Sequence, residues 1–397
     1  MNQPYDPPLR GVRVLELARI LAGPWCGQVL ADLGADVVKV ERSGAGDDTR
    51  AWGPPFMEGP NGEPLEAAYF HGCNRGKRSI VADFETSEGQ ALVRHLASHA
   101  DVVLENFKTG GLTKYKLDAE SLRAAHPRLI YASITGFGQT GPDAPRAGYD
   151  FLIQGLGGAM SMTGEPDGAP MKSGIAISDI LTGLYAANAI QAALLRRART
   201  GKGATIDCAL LDTQVSVLGY QAMNYFVSGV EPARYGNGHP NIVPYDVLPS
   251  RDGNFLIACG NDVQFRKLMG ALGAPELADD PVFATNAARV TNRAKVMGRL
   301  QDLSRPMARE SLLAALEALG VPAGAVNKTS EVFANPQVAH RQMRLDLPNP
   351  RLKGGTSPGL RSAFVIDGHH GAAPLPAPGL GEHQKQVLTD PAWGGKV

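Results

Sequence analysis

Asp179, in the segment ISDILTG, follows the glycine-rich stretch GYDFLIQGLGGAMSMTGEPDG, and this pairing is where the chain could do covalent chemistry. Apolar residues in SDILTGLYAANAIQAALLRR recur at helical spacing behind Ser178, which predicts a helix from Ser178 to about Arg197. Asp179 then falls in the first turn, where free backbone N–H groups and the helix dipole favour an ionised carboxylate. An ionised, partly desolvated carboxylate beside glycine backbone can attack an activated acyl group and carry it covalently. Backbone N–H groups at Gly157 and Gly158, and near Gly260, are candidate donors to the oxyanion that such an attack creates. The same position also suits a carboxylate that only caps its helix, and the local sequence leaves both readings open.

Arg75, Lys77 and Arg78 cluster in NRGKRSI. Cations so grouped can hold phosphates by charge-assisted hydrogen bonds, or they can form a solvated loop. Arg19, Arg50 and His239 are candidate clamps for a substrate carboxylate. His239, in GNGHPN, reads either as a substrate contact or as a loop histidine bonded to nearby backbone. His369 and His370 have no third ligand at metal spacing, so no metal is assigned.

Composition narrows the classes. The chain has 397 residues, 43% of them hydrophobic, which suits a globular protein of two or more domains. Its 39 basic and 39 acidic residues balance, which argues against nucleic acid as a partner. No apolar run approaches the ~20 residues that span a bilayer, and MNQPYDPPLRG is not a secretory signal. Cys26, Cys73, Cys208 and Cys259 are widely spaced and read as reduced thiols of a cytoplasmic protein.

The elements that must position these residues follow from the chain order. VRVLELA and ADVVKVER read as strands flanking a helix that Pro24 opens and Gly34 closes. Strand–helix–strand order predicts an α/β fold: a large Rossmann-like domain with a parallel sheet covered by helices on both faces. The loop ARILAGP, with Ile20 and Ala22, lies where such sheets bind ligands, yet it lacks GxGxxG, which counts against a nicotinamide enzyme. The large domain is expected at 1–200, joined by 380–397. A linker at 201–230 leads to a smaller α+β domain at 231–335, and 336–379 is expected as a return linker. The Pro- and Gly-rich tail from 344 onward is expected to pack over another surface.

Much of the chain resembles the class III CoA-transferases, the family of formyl-CoA transferase. The similarity runs in order through LARILAGPWCGQVLADLGADVVKVER, GDDTRAW, NRGKRSI, DVVLENFKTGGLTKYKL, YASITGFGQTGP, the Asp179 stretch and RRARTGKGATIDCALLDT. The resemblance implies that Asp179 is the acyl-accepting nucleophile, and that coenzyme A or acyl-CoA is a substrate with no cofactor permanently bound. It implies that Ile20, Ala22, Arg42, Asn106, Phe107, Lys114 and Phe137 hold CoA, with Arg75 and Lys77 near its phosphates. Lys114 stands where formyl-CoA transferase has arginine, and Thr135 and Phe137 stand where it has lysine and tyrosine. Gly260 matches the start of a glycine lid, but Asn261 and Asp262 replace part of that run. The family also implies an interlaced homodimer. Arg50, Tyr149, His239 and Gly260 are the expected substrate contacts.

The related 2-methylacyl-CoA racemases carry histidine where this chain has Tyr149. A tyrosine, with an ordinary pKa near 10, is a poor proton carrier at neutral pH, so CoA transfer ranks above racemisation. The reaction expected is transfer of CoA from a succinyl-CoA or acetyl-CoA type donor to a carboxylic acid, possibly a dicarboxylate. The mechanism runs through an aspartyl mixed anhydride and an aspartyl-CoA thioester. A binding protein or nucleotide oxidoreductase on the same scaffold is the third reading.

Overall fold

A computed structural model describes residues 5–395. The chain separates into two compact units: Met1–Ala159 with Ser173–Tyr220 and Pro336–Val397, and Met160–Lys172 with Gln221–Asn335.

In the first unit six strands form one sheet. They are Arg13–Glu16 (β1), Asp36–Glu41 (β2), Lys77–Val81 (β3), Val102–Glu105 (β4), Ile130–Thr135 (β5) and Ala204–Ala209 (β6). All neighbours pair in parallel, in the order β3-β2-β1-β4-β5-β6. This is the strand order of doubly wound dinucleotide-binding folds, whose ligand crevice opens where the order reverses, here between β1 and β4.

Side chains alternate between the two faces, as strand geometry requires. Val14, Val37, Val102 and Ile130 pack on one face against Cys26 and Leu30 of helix Ala22–Asp32 (α1) and Ala187 and Ile190 of helix Ile177–Thr200 (α4). Leu15, Val38, Val103 and Tyr131 pack on the other face against Val93 and Leu96 of helix Ser87–His99 (α2). The Thr86 hydroxyl caps α2, accepting from the Gly89 N–H at 3.0 Å. Helix Asp150–Leu156 (α3) precedes α4, which ends at Gly201 in the left-handed region at φ 72.

Residues 201–230 are expected as a linker, but the segment RTGKGATIDCALLDT at their start, which reads as a strand and then a helix, supplies the edge strand β6 and helix Leu210–Ser216 (α5). In the segment 380–397, Val387 and Trp393 are buried in the core of this unit, and the Trp393 indole donates to Asp36 at 2.7 Å. Pro and Gly break the tail's periodicity, so its anchoring depends on single side chains that no repeat pattern reveals.

The second unit is α+β. Its antiparallel sheet has Gly253–Ala258 between Tyr245–Ser250 and Ala323–Gly324. Leu248, Phe255 and Ile257 pack with Phe265, Leu300 and Leu312 from its helices in a separate core.

Candidate active site

A cleft opens at the β1/β4 reversal in the first unit. Asp179 lines it from the first turn of α4, and Ile20 and Ala22 line it from the loop after β1 and the start of α1. Asn106 and Phe107 come from the turn after β4, and Tyr149 from the loop before α3. The cleft thus brings together six of the residues singled out from sequence.

The helix is not capped by Asp179. Asp150, buried at the start of α3, accepts the Ser178 N–H at 2.9 Å and the Asp179 N–H at 3.4 Å. The Gln154 amide holds the other Asp150 oxygen at 2.8 Å, and the Ser178 hydroxyl donates to Gln214 at 2.8 Å. Burial, and then the neighbouring Asp150 charge, push the Asp179 carboxyl up to about 7. The expectation that the helix N-terminus keeps Asp179 firmly ionised is therefore corrected. Asp150 has taken the N–H groups of Ser178 and Asp179, and among the described residues no hydrogen bond to the Asp179 carboxyl offsets its desolvation. At neutral pH Asp179 is poised between carboxylate and acid, which is the state suited to a nucleophile that must also leave readily.

Small residues bring α4 close to α1. A Cβ on Gly183 would lie 2.6 Å from the Ala22 carbonyl oxygen and 3.2 Å from the Trp25 Cβ. Gly183 is one turn beyond Asp179, so this contact sets where the carboxylate enters the cleft.

The opposite loop is held just as closely. The Asn106 amide pairs with the Arg19 backbone, accepting from its N–H at 2.8 Å and donating to its carbonyl at 2.6 Å. Ile20 then adopts φ 72, a left-handed conformation that β-branched residues rarely take. Phe107 also lines a second cleft with Arg19, Arg42, Phe84 and Tyr115. Arg42 is exposed there, pairs with Asp48 and donates to the Gly46 carbonyl at 3.0 Å. Lys114 lies over the Tyr115 ring at 4.5 Å, an exposed position beside this cleft.

Several residues expected to touch ligand are occupied elsewhere. Arg75 is buried and grips both Asp32 oxygens, at 2.5 and 2.6 Å. Lys77 is fully buried on Glu16 at 2.9 Å, the Pro24 carbonyl at 2.8 Å and Asn74 at 2.9 Å. Arg78 pairs with Asp36 and, at 3.0 Å, with Asp390. Lys77 and Arg78 open strand β3, so their side chains enter the layers beside the sheet and meet carboxylates there. Arg50 is buried between Glu41 at 2.7 Å and Glu66 at 3.0 Å, over the Phe70 ring. Its guanidinium is committed to that network and is not a substrate clamp. Phe137 belongs to the core and forms a platform under Arg146, 4.7 Å from ring centroid to guanidinium.

The expected oxyanion donors are also engaged. The Gly157 and Gly158 N–H groups close α3 on Ile153 at 2.8 Å and Gly155 at 3.3 Å. Gly260 and His239 lie in the second unit. There the Gln264 side chain accepts the Gly260 N–H at 2.8 Å, and His239 Nδ1 accepts the Asn241 N–H at 3.1 Å.

Two residues have no signal in the sequence. Arg146 lines the Asp179 cleft beside Lys108, the basic residue of the turn after Phe107, and Asp143 braces Arg146 at 3.0 Å. Arg146 is a lone basic residue in a loop, without a pattern to mark it. The other is Tyr69, whose hydroxyl is pushed up to about 12 by partial desolvation first and then by the Cys73, Asp179 and Asp150 charges. No local pattern marks it.

The family model for CoA-transferase family III matches residues 9–384. This chain belongs to CoA-transferase family III. Among curated relatives of this family III CoA-transferase, the succinate–glutarate CoA-transferase of Agrobacterium fabrum is 56% identical, over 97% of this chain and 96% of that protein. The human succinyl-CoA:glutarate CoA-transferase is 39% identical, over 96% of this chain and 86% of that one. A crystal structure of a CAIB/BAIF family protein from Brucella suis matches with a TM-score of 0.84 and 56% identity, covering 96% of this chain and 99% of that one. The chain is thus an enzyme, a CoA-transferase that uses CoA thioesters as substrates. Among the described residues no helix is long and apolar enough to cross a membrane.

Proposed function

We propose that this CoA-transferase moves CoA from succinyl-CoA to a short dicarboxylic acid such as glutarate, with Asp179 as the covalent carrier. The observation that carries the reading is a part-buried carboxylate of raised pKa in the cleft at the sheet's reversal point. The dicarboxylate is supported by the substrates in the relatives' names and by Lys108 and Arg146 on the same cleft.

An Asp179 oxygen attacks the thioester carbonyl, and the C–S bond breaks to give a mixed anhydride and CoA thiolate. The thiolate attacks the aspartyl carbonyl, releasing the donor acid and leaving an aspartyl-CoA thioester. The acceptor carboxylate attacks that thioester, forming a new anhydride and freeing the thiolate again. The thiolate then takes the acceptor's acyl group, and the Asp179 carboxylate is restored. Every step exchanges one activated acyl bond for another of similar energy, so water must be excluded. The nucleotide end of CoA is assigned to the cleft of Arg42, Arg19 and Phe84, with Lys114 at its edge. The pantetheine arm is assigned past Phe107 and Asn106, along Ile20 and Ala22, towards Asp179. Tyr149 faces the cleft where the related racemases carry histidine, which supports transfer over racemisation.

We also infer a homodimer in a reducing compartment such as the cytoplasm. Phe151 and Leu156 on α3, and Tyr185 and Leu195 on α4, leave apolar surface exposed, and all four cysteines are free. Analytical ultracentrifugation returning only monomer would contradict the dimer. The function is tested by supplying succinyl-CoA with a panel of acids. Glutaryl-CoA should form with the native enzyme and not with Asp179→Ala, and retained transfer by that variant would overturn the assignment.

A further inference from the structure

The Ile20 conformation has a specific support outside the cleft. Its N–H is shared by both oxygens of Asp47, each at 3.3 Å. Asp47 is itself fixed: Lys39 Nζ lies at 2.9 Å, and Thr49 donates from its N–H at 3.0 Å and its hydroxyl at 2.8 Å. Lys39 reaches the same loop two residues earlier, donating to the Ala18 carbonyl at 2.7 Å and to Glu16 at 3.1 Å. The loop after β1 is therefore pinned at two backbone points, one by each member of a buried ion pair. Lys39 is fully buried and Asp47 nearly so. Burial would raise the Asp47 carboxyl, but the Lys39 charge and the Thr49 hydrogen bonds outweigh it and hold it at about 2. A buried ion pair adds little net stability over apolar side chains of the same size, so stability alone does not account for it. What this pair supplies is a fixed geometry for a strained residue.

We propose that Asp47, anchored by Lys39, is a positioning residue for the transferase reaction, holding the Ile20 backbone left-handed so that the cleft wall sharing Asp179 keeps the shape that acyl-CoA requires. The proposal rests on the cleft being the acyl-CoA site. It predicts a coupling that a general stabilising role does not. Glycine takes φ near +70° without strain, so Ile20→Gly should make the loop largely independent of the clamp.

The test is a double-mutant cycle on kcat and KM for succinyl-CoA, with Tm measured alongside. Asp47→Ala should lower kcat/KM about tenfold or more in the native background, the order of the left-handed penalty for a side chain bearing Cβ. In the Ile20→Gly background the same change should cost less than about threefold. Equal losses in both backgrounds would overturn the proposal. If Asp47→Ala does not fold, Asp47→Asn, which keeps an acceptor oxygen but loses the charge facing Lys39, is compared in the same two backgrounds by the same criterion. Failure of the underlying reading gives a different pattern: Asp179→Ala retains transfer, whatever the two Ile20 backgrounds show.

Discussion

Asp150 accepts the backbone N–H of Asp179 at 3.4 Å, so one carboxylate caps the helix that carries the other. The relationship is electrostatic as well as structural. The Asp150 charge adds to burial in raising Asp179 to about 7. Attack on a thioester needs the ionised form, so kcat/KM should rise with pH through about 7 and then level off. Asp150→Asn keeps an oxygen for the helix cap but removes the negative charge. The rising limb should move to lower pH, with part of the shift remaining because burial, the larger cause, is untouched. Steady-state rates across pH 5 to 9 for the two proteins check this, and an unmoved limb would disprove the coupling.

Arginines that look alike in sequence should separate cleanly in experiment. Arg42 is exposed on the second cleft, so Arg42→Ala should raise KM for succinyl-CoA about tenfold, the value of a charged hydrogen bond, with Tm nearly unchanged. Arg75→Ala leaves Asp32 buried without its partner, which should cost about 3–5 kcal/mol in denaturant unfolding. The folded fraction of Arg75→Ala should keep its KM for succinyl-CoA. A raised KM there would restore Arg75 to the binding site.

Gly183→Ala should place a methyl group against the Ala22 carbonyl, which belongs to backbone and cannot rotate aside. The cost in stability should be about 1–3 kcal/mol. Displacing α4 moves Asp179 as well, so kcat should fall more than KM rises. A variant of native kcat would mean that the contact does not set the position of the carboxylate.

Arg146 is presented on the Phe137 ring and braced by Asp143, a fixed fork on the cleft. Arg146→Ala should raise KM for glutarate about tenfold or more, the loss of a charge-assisted hydrogen bond. KM for a monocarboxylic acid of similar length should change little. Arg146→Lys should restore only part, because a lysine lacks the planar pair of donors. Equal effects on both acids would remove Arg146 from recognition of the second carboxylate.

The parallel α/β fold and the place of Asp179 were legible because both depend on local pattern. Runs such as DVVKV mark buried strands, and a Ser-led amphipathic segment marks the helix that carries Asp179. The fates of Arg75, Lys77 and Arg50 were not legible. Their partners Asp32, Glu16, Glu41 and Glu66 meet them only after the strands are ordered β3-β2-β1, a pairing that local periodicity does not encode. Asp150 was hidden for a related reason. It is the first residue of its own helix, while its carboxylate caps a helix 28 residues further on.

The central claim is that Asp179 carries the activated group, and hydroxylamine trapping tests it most directly. The enzyme is incubated with succinyl-CoA, quenched with hydroxylamine, digested and examined by mass spectrometry. The account predicts a hydroxamate on the peptide containing Asp179, absent without succinyl-CoA and absent in Asp179→Ala. Turnover with that peptide unmodified, or with the label on another carboxylate, would contradict it.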